Sequence, residues 1–237
     1  MAEESKMIKE GKPLTEVVFI LDRSGSMNGL EDDTIGGFNS MLDKQKASDS
    51  RVLISTVLFD DVLEVVHDRV PIETIEHMTR ADYETRGCTA LLDAIGETVK
   101  HIKTIHKYAR DEDRPDKTLF IITTDGRENA STRYNYADVK KLVEDQKEAG
   151  WEFLFLGANI DAIETAGRFG IDASRAANYH SDHVGTRKAF DTFGEAMMCF
   201  AAAPSSDLLK NFFDDGDWKK DIERDFMSRS KDNGKGA

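Results

Sequence analysis

Cysteine is almost absent: Cys88 and Cys199 are the only two in 237 residues. Two thiols are too few for a disulfide framework, and both are read as small apolar residues buried in the core. Positive charge is also scarce, with 32 lysines and arginines against 45 acids and a net charge of −13. So acidic a balance excludes a nucleic-acid partner, which needs basic patches, and disfavours an anionic membrane surface. No window approaches the run of about 18 apolar residues that spans a membrane. Met1-Ala2-Glu3-Glu4-Ser5-Lys6 lacks the apolar core of a signal peptide, so a soluble, cytoplasmic protein is expected. Phosphate-binding and hydrolase signatures are missing too. There is no Gly-x-x-x-x-Gly-Lys loop, and Ser24-Gly25-Ser26 is not the Gly-x-Ser-x-Gly of a nucleophile elbow.

What is present is a regular alternation of apolar runs and helical patterns, with 39% hydrophobic residues, enough for a real core. Val17-Val18-Phe19-Ile20-Leu21 reads as a strand buried on both faces of a parallel sheet. A helix is expected from about Leu30 to Lys46, with Gly36 and Gly37 inside it at a cost of about 1 kcal/mol each. Close packing of that helix on the sheet would explain them. Val52 to Phe59 is a second strand. It turns at Asp60-Asp61 into an antiparallel edge strand, because parallel neighbours need a long crossover. Pro71 to Ile75 begins a short helical piece. Thr89 is read as the cap of a long helix carrying Leu91, Leu92, Ile95, Val99, Ile102 and Ile105. Strands at Thr118 to Thr123, Trp151 to Leu156 and, weakly, Ala177 to His180 alternate with helices near 139–150, 161–169 and 190–203. The alternation indicates an α/β, doubly wound, mostly parallel sheet of six strands with one antiparallel edge strand and helices on both faces.

Three segments are expected: a flexible lead-in over 1–13, one domain over 14–203, and an acidic, aromatic tail over 204–237. Beyond Pro204 the periodicity is lost. Phe212, Phe213, Trp218 and Phe226 either dock a partner or fold back, and Lys231 to Ala237 is expected to be disordered.

Asp22-Arg23-Ser24-Gly25-Ser26 follows the first strand directly, where open α/β sheets bind ligands. A carboxylate and two hydroxyls are hard donors that suit Mg²⁺, Mn²⁺ or Ca²⁺, although Ser and Asp also cap helices. Two further stretches bear on that choice. Leu119-Phe120-Ile121-Ile122-Thr123-Thr124-Asp125-Gly126 ends a second apolar run in an acid. Arg86-Gly87-Cys88-Thr89 carries a threonine on a glycine turn.

Together these stretches resemble the von Willebrand factor A domain and its metal-ion-dependent adhesion site (MIDAS), of a bacterial or phage intracellular type. The resemblance implies a Rossmann-like fold and a divalent cation, Mg²⁺ or else Mn²⁺ or Ca²⁺, held by Asp22, Ser24, Ser26, Thr89 and Asp125. It implies that the serine hydroxyls bind the ion directly and that Asp22 and Asp125 act through water or hydrogen bonds. It also implies that an open position captures an Asp or Glu carboxylate of a partner protein. Thr89, on a separate turn, would be the switch. Such a module has no catalysis of its own. Its expected setting is an intracellular complex linked to an ATPase, an AAA+ ATPase being one such partner, or a stress-response or defence assembly.

The competing reading is a metal-dependent phosphotransferase or hydrolase that uses Asp22. That chemistry needs a second acid two residues later, where Ser24 stands. Arg23 is assigned a surface salt bridge, Asp60 and Asp61 a turn, and His180 and His183 solvated loop positions. Arg127, Glu128 and Asn129 are expected to frame the rim of the site.

Overall fold

The computed structural model describes residues 12–203 and 206–233. The strands are β1 (Leu14–Asp22), β2 (Arg51–Phe59), β3 (Leu63–Pro71), β4 (Lys117–Thr124), β5 (Glu152–Gly157) and β6 (Ala176–Asn178). The helices are α1 (Glu31–Lys46), α2 (Leu91–Tyr108), α3 (Tyr136–Glu148), α4 (Ala162–Arg168), α5 (His183–Ala202), α6 (Ser206–Asp214) and α7 (Lys220–Asn233). The sheet runs β3-β2-β1-β4-β5-β6, parallel throughout except for β3, which pairs antiparallel with β2 at one edge. This is the six-stranded, doubly wound arrangement expected from the sequence. No helix among the described residues is long and apolar enough to cross a membrane.

Successive strand side chains point to opposite faces, and β1 separates the core accordingly. Val17, Phe19 and Leu21 face α1 and α5, where Phe38, Met41, Leu42, Phe193 and Met197 are buried. Val18 and Ile20 face the other layer, with Leu91, Ile95, Val99, Ile102, Val143 and Phe169. Every residue of β1 is buried, so this strand is the spine of both cores.

The two α1 glycines have different surroundings, and neither is explained by the sheet. A methyl on Gly37 would lie 2.7 Å from the Phe190 ring of α5, so it is α5 that packs close at this point. Gly36 faces open space. Gly36→Ala should therefore raise stability by about 0.5–1 kcal/mol through helix propensity. Gly37→Ala should lower it by roughly 1–3 kcal/mol through overpacking. Urea unfolding of the two variants checks the contrast.

The segment after 203 forms α6 and α7, and Leu209, Phe213, Trp218 and Ile222 enter the same core as α1 and α5. Trp218 donates its indole N–H to the Ser174 carbonyl at 2.8 Å. Of the four aromatics left open by the sequence, Phe213 and Trp218 are buried, and Phe226 stacks on His180. The expected lead-in lies almost entirely outside the described residues, as do positions 234–237 of the expected disordered end.

Both cysteines are exposed, contrary to the expectation of burial. Cys88 lies on the turn before Thr89, and Cys199 lies on the outer face of α5, away from the helix's apolar stripe.

Candidate metal centre

In this strand order the chain leaves β1 toward β2 and leaves β4 toward β5, in opposite directions. The crevice between the carboxyl ends of β1 and β4 is thus the switch point of the sheet, where ligands bind in such folds. Asp22 is the last residue of β1, and Asp125 directly follows β4.

Asp22 is held from several sides. One carboxylate oxygen accepts the Ser24 N–H at 2.7 Å and the other accepts the Thr124 hydroxyl at 2.5 Å. Its own carbonyl accepts the buried Tyr83 hydroxyl at 2.5 Å. Burial pushes the Asp22 carboxyl up to about 6, against the lowering effect of Ser24 and Thr124 and with a further rise from the Asp125 charge. Asp125 accepts the Ser26 hydroxyl on Oδ1 at 2.5 Å, and Ser24 Oγ lies 3.0 Å from Ser26 Oγ.

Gly126 shows how these groups converge. A Cβ built on it would lie 2.9 Å from Thr89 Oγ1, 3.1 Å from Ser26 Oγ and 3.8 Å from Ser24 Oγ. Three hydroxyls from two loops therefore meet over a residue that has no side chain. Asp22, Ser24, Thr89 and Asp125 are all buried, and Ser26 is exposed at the mouth. Among the described residues, no lysine, arginine or histidine ion-pairs with Asp22 or Asp125. Two neighbouring buried carboxylates without a basic partner, beside converging hydroxyls, are a donor set that fits a hard divalent cation. All five residues singled out in the sequence are in this cluster.

Thr89 does not cap α2. The cap position is Ala90, whose methyl side chain cannot accept a hydrogen bond, and Glu128 takes over by accepting the Leu92 N–H at 2.9 Å. Ser131 Oγ accepts the Asp93 N–H at 3.0 Å. The Thr89 backbone docks on Asn129 in both directions, giving its N–H to the side chain at 2.9 Å and taking the Asn129 N–H at 3.0 Å. The Thr89 hydroxyl is thereby left to the cradle. Glu128 and Asn129 thus buttress the threonine loop, while Arg127 is exposed.

The serine and threonine loops, separate in the sequence reading, are joined by backbone. Gly25 N–H donates to Gly87 O at 3.2 Å and Arg86 N–H to Arg23 O at 2.9 Å. Arg23 departs from expectation. Its side chain is only 4% exposed and bonds Asp60 at 3.0 Å and Glu64 at 2.6 Å, on the β2–β3 hairpin. Asp60 is a buried hub as well as a turn residue, since Arg86 also bonds it at 2.8 Å. The histidines do not form a pair. His183 ion-pairs with Asp33, and His180 packs on Phe226.

Asn129, expected at the rim, is the residue that docks the Thr89 backbone, and Arg86, on the same turn as Thr89, gains a bond to Asp60 that the sequence did not suggest. Sequence reasoning missed Tyr83, Thr124 and Ser181, which bond Asp22 and Asp125. Thr124 adjoins Asp125 and was within reach, but Tyr83 and Ser181 lie far along the chain and carry no local signal.

No protein-family model and no curated protein sequence matches the chain. Solved structures resemble it in fold. The vWF domain of the type V pili tip protein Mfa5 from Porphyromonas gingivalis has a TM-score of 0.56 at 11% identity, over 82% of this chain and 98% of that one. The PilB minor pilin from Streptococcus sanguinis has a TM-score of 0.58 at 12% identity, over 82% of this chain and 64% of that one. Proximal thread matrix protein 1 from the mussel byssus, in a structure with a zinc-occupied MIDAS motif, has a TM-score of 0.54 at 13% identity, over 79% of this chain and 46% of that one. The chain thus spans less than two thirds of the pilin and of the byssus protein. At these identities the likeness is one of fold, and that fold is von Willebrand factor A-like.

Proposed function

We propose that the protein is a divalent-cation-dependent protein-binding module. On this reading Ser24, Ser26 and Thr89 offer hydroxyl oxygens to Mg²⁺, or to Mn²⁺ or Ca²⁺, and Asp22 and Asp125 supply the compensating charge. The observation that carries it is the meeting of three hydroxyls over Gly126 beside two buried carboxylates that ion-pair with no basic side chain among the described residues. The bound ion would supply a Lewis-acidic position for one external carboxylate, because its direct ligands are neutral hydroxyls and the two acids act on it only through water or hydrogen bonds. The partner is therefore a protein that presents an Asp or Glu, and the setting a cytoplasmic complex, an AAA+ ATPase assembly or a stress-response or defence module.

The phosphotransferase reading fits the geometry less well. Asp22 is 1% exposed and both its carboxylate oxygens are engaged, by Ser24 and Thr124, so neither lies open to a phosphoryl group.

Two measurements test the proposal. Calorimetric titration with Mg²⁺ should give binding to the wild type. Pull-down of a partner from lysate should be lost on adding a chelator. Thr89→Ala should keep the ion on the two serines but weaken partner binding ten- to a hundredfold, the equivalent of about 1.5–3 kcal/mol for one charge-assisted contact. Helix α2 should keep its stability in this variant, because Glu128 does the capping. Partner binding that resists both the chelator and Thr89→Ala would put the interaction surface elsewhere.

A further inference from the structure

Asp125 is gripped on both oxygens. Ser26 donates to Oδ1 at 2.5 Å, and Ser181 donates to Oδ2 at 2.9 Å. Ser181 stands 56 positions further on, in the turn between β6 and α5. That turn is fixed from within, where Tyr179 N–H donates to Gly157 O at 3.0 Å and Asp182 accepts the Gly185 N–H at 2.9 Å to cap α5. Helix α7 holds it from outside. The His180 ring stacks on Phe226 with centres 4.6 Å apart, and His180 Nε2 lies 3.1 Å from the Phe226 carbonyl. Asp182 ion-pairs with Arg229, which also bonds Asp225 at 3.0 Å.

A serine hydroxyl has one proton and two lone pairs. Ser26 gives its proton to Asp125, so the direction of its lone pairs depends on where Asp125 Oδ1 sits. A carboxylate held by one hydroxyl can turn about its terminal torsion, whereas one held on both oxygens has a single orientation. We propose that the Ser181 hydroxyl is a positioning group of the cation cradle, fixing Asp125 and through it Ser26, in a loop that α7 holds in place. The inference rests on the metal-binding reading above. It assigns the C-terminal helix, about 100 residues from Asp125 in sequence, a part in the affinity of the site.

The test is Mg²⁺ titration of the full chain by calorimetry, with the thermal midpoint of each variant measured without added metal. Ser181→Ala should weaken Mg²⁺ binding about tenfold, the lower end of what loss of an outer partner does to a metal site. Ser181→Thr, which keeps the hydroxyl, should restore most of it. Arg229→Ala should weaken binding in the same direction, while Arg224→Ala, which removes an exposed pair with Asp221 on the same helix, should leave it unchanged. A global loss of fold would lower the thermal midpoint in step with affinity, and a positioning role would not. Unchanged or tighter Mg²⁺ binding in Ser181→Ala or Arg229→Ala, with a wild type that binds, overturns this inference alone. A wild type that binds no divalent cation overturns the metal reading with it.

Discussion

Asp22→Asn is expected to stabilise the metal-free protein and to abolish its divalent-cation binding, two opposite effects from one atom. The Asp22 carboxyl is buried and raised from its ordinary 3.8 to about 6, chiefly by desolvation. For a raised acid the sign is definite. Its contribution to stability is fully present below the unfolded value and is lost as pH rises through about 6. At pH 7.5 the buried charge costs about 2–3 kcal/mol, since each tenfold change in proton affinity is worth about 1.4 kcal/mol. Asparagine removes the charge and keeps the contacts, since its Oδ1 accepts the Ser24 N–H and its Nδ2 donates to Thr124 Oγ1. The thermal midpoint should rise by roughly 5–10 °C at pH 7.5, and the advantage should fade as the pH is lowered toward 4. Saturating Mg²⁺ should raise the midpoint of the wild type by mass action and leave the variant unmoved. An Asn variant that is less stable than wild type, or that still answers to Mg²⁺, would remove Asp22 from the site.

The parts of the molecule legible in the sequence are those encoded locally. The unbroken apolar run of β1, the short link that forces β3 antiparallel, and the acids and hydroxyls at strand ends each sit within a few residues of one another. They sufficed for the sheet and for picking out the five residues that the structure brings together. What escaped notice depends on distant pairing. Arg23 looks like a surface residue until the hairpin folds Asp60 and Glu64 against it. Thr89 looks like a helix cap until Glu128, on another loop, is seen in that role. Across α6, the 3-10 turn at Asp217–Lys219 and α7, the apolar residues Leu209, Phe213, Trp218 and Ile222 are diluted by pairs such as Lys219 with Glu223 and Arg229 with Asp225. A composition rich in charge hid the few large side chains that bury these helices, and their burial is what tethers α7 near the site.

Asp60→Ala is expected to be the most damaging single substitution at the site's margin, costing about 3–5 kcal/mol by leaving a buried charge uncompensated. Asp60 is fully buried. Its carboxylate bonds Arg23 at 3.0 Å, Arg86 at 2.8 Å and the Val62 N–H at 2.6 Å. Burial works against its charge, but the bonds from Arg86 and Val62 and the charges of Arg23 and Arg86 prevail and hold its carboxyl below the usual range. The stability it contributes is therefore present above its ordinary value of 3.8 and lost as pH falls below it. Without Asp60, Arg23 keeps only the half-exposed Glu64, and one of its Nη atoms already has no partner. The thermal midpoint at neutral pH should fall by roughly 10 °C or more. Arg86 adjoins the Gly87 turn that carries Thr89, so its release should also loosen the threonine loop and weaken Mg²⁺ binding. Combining Asp60→Ala with Arg23→Met removes both charges, and the double variant should be more stable than Asp60→Ala alone, because the buried guanidinium left without its main partner is then gone. Urea unfolding of the three proteins decides the matter. A loss below about 1 kcal/mol for Asp60→Ala, within the range of an exposed pair, would show that this cluster holds neither Arg23 nor the threonine loop in place.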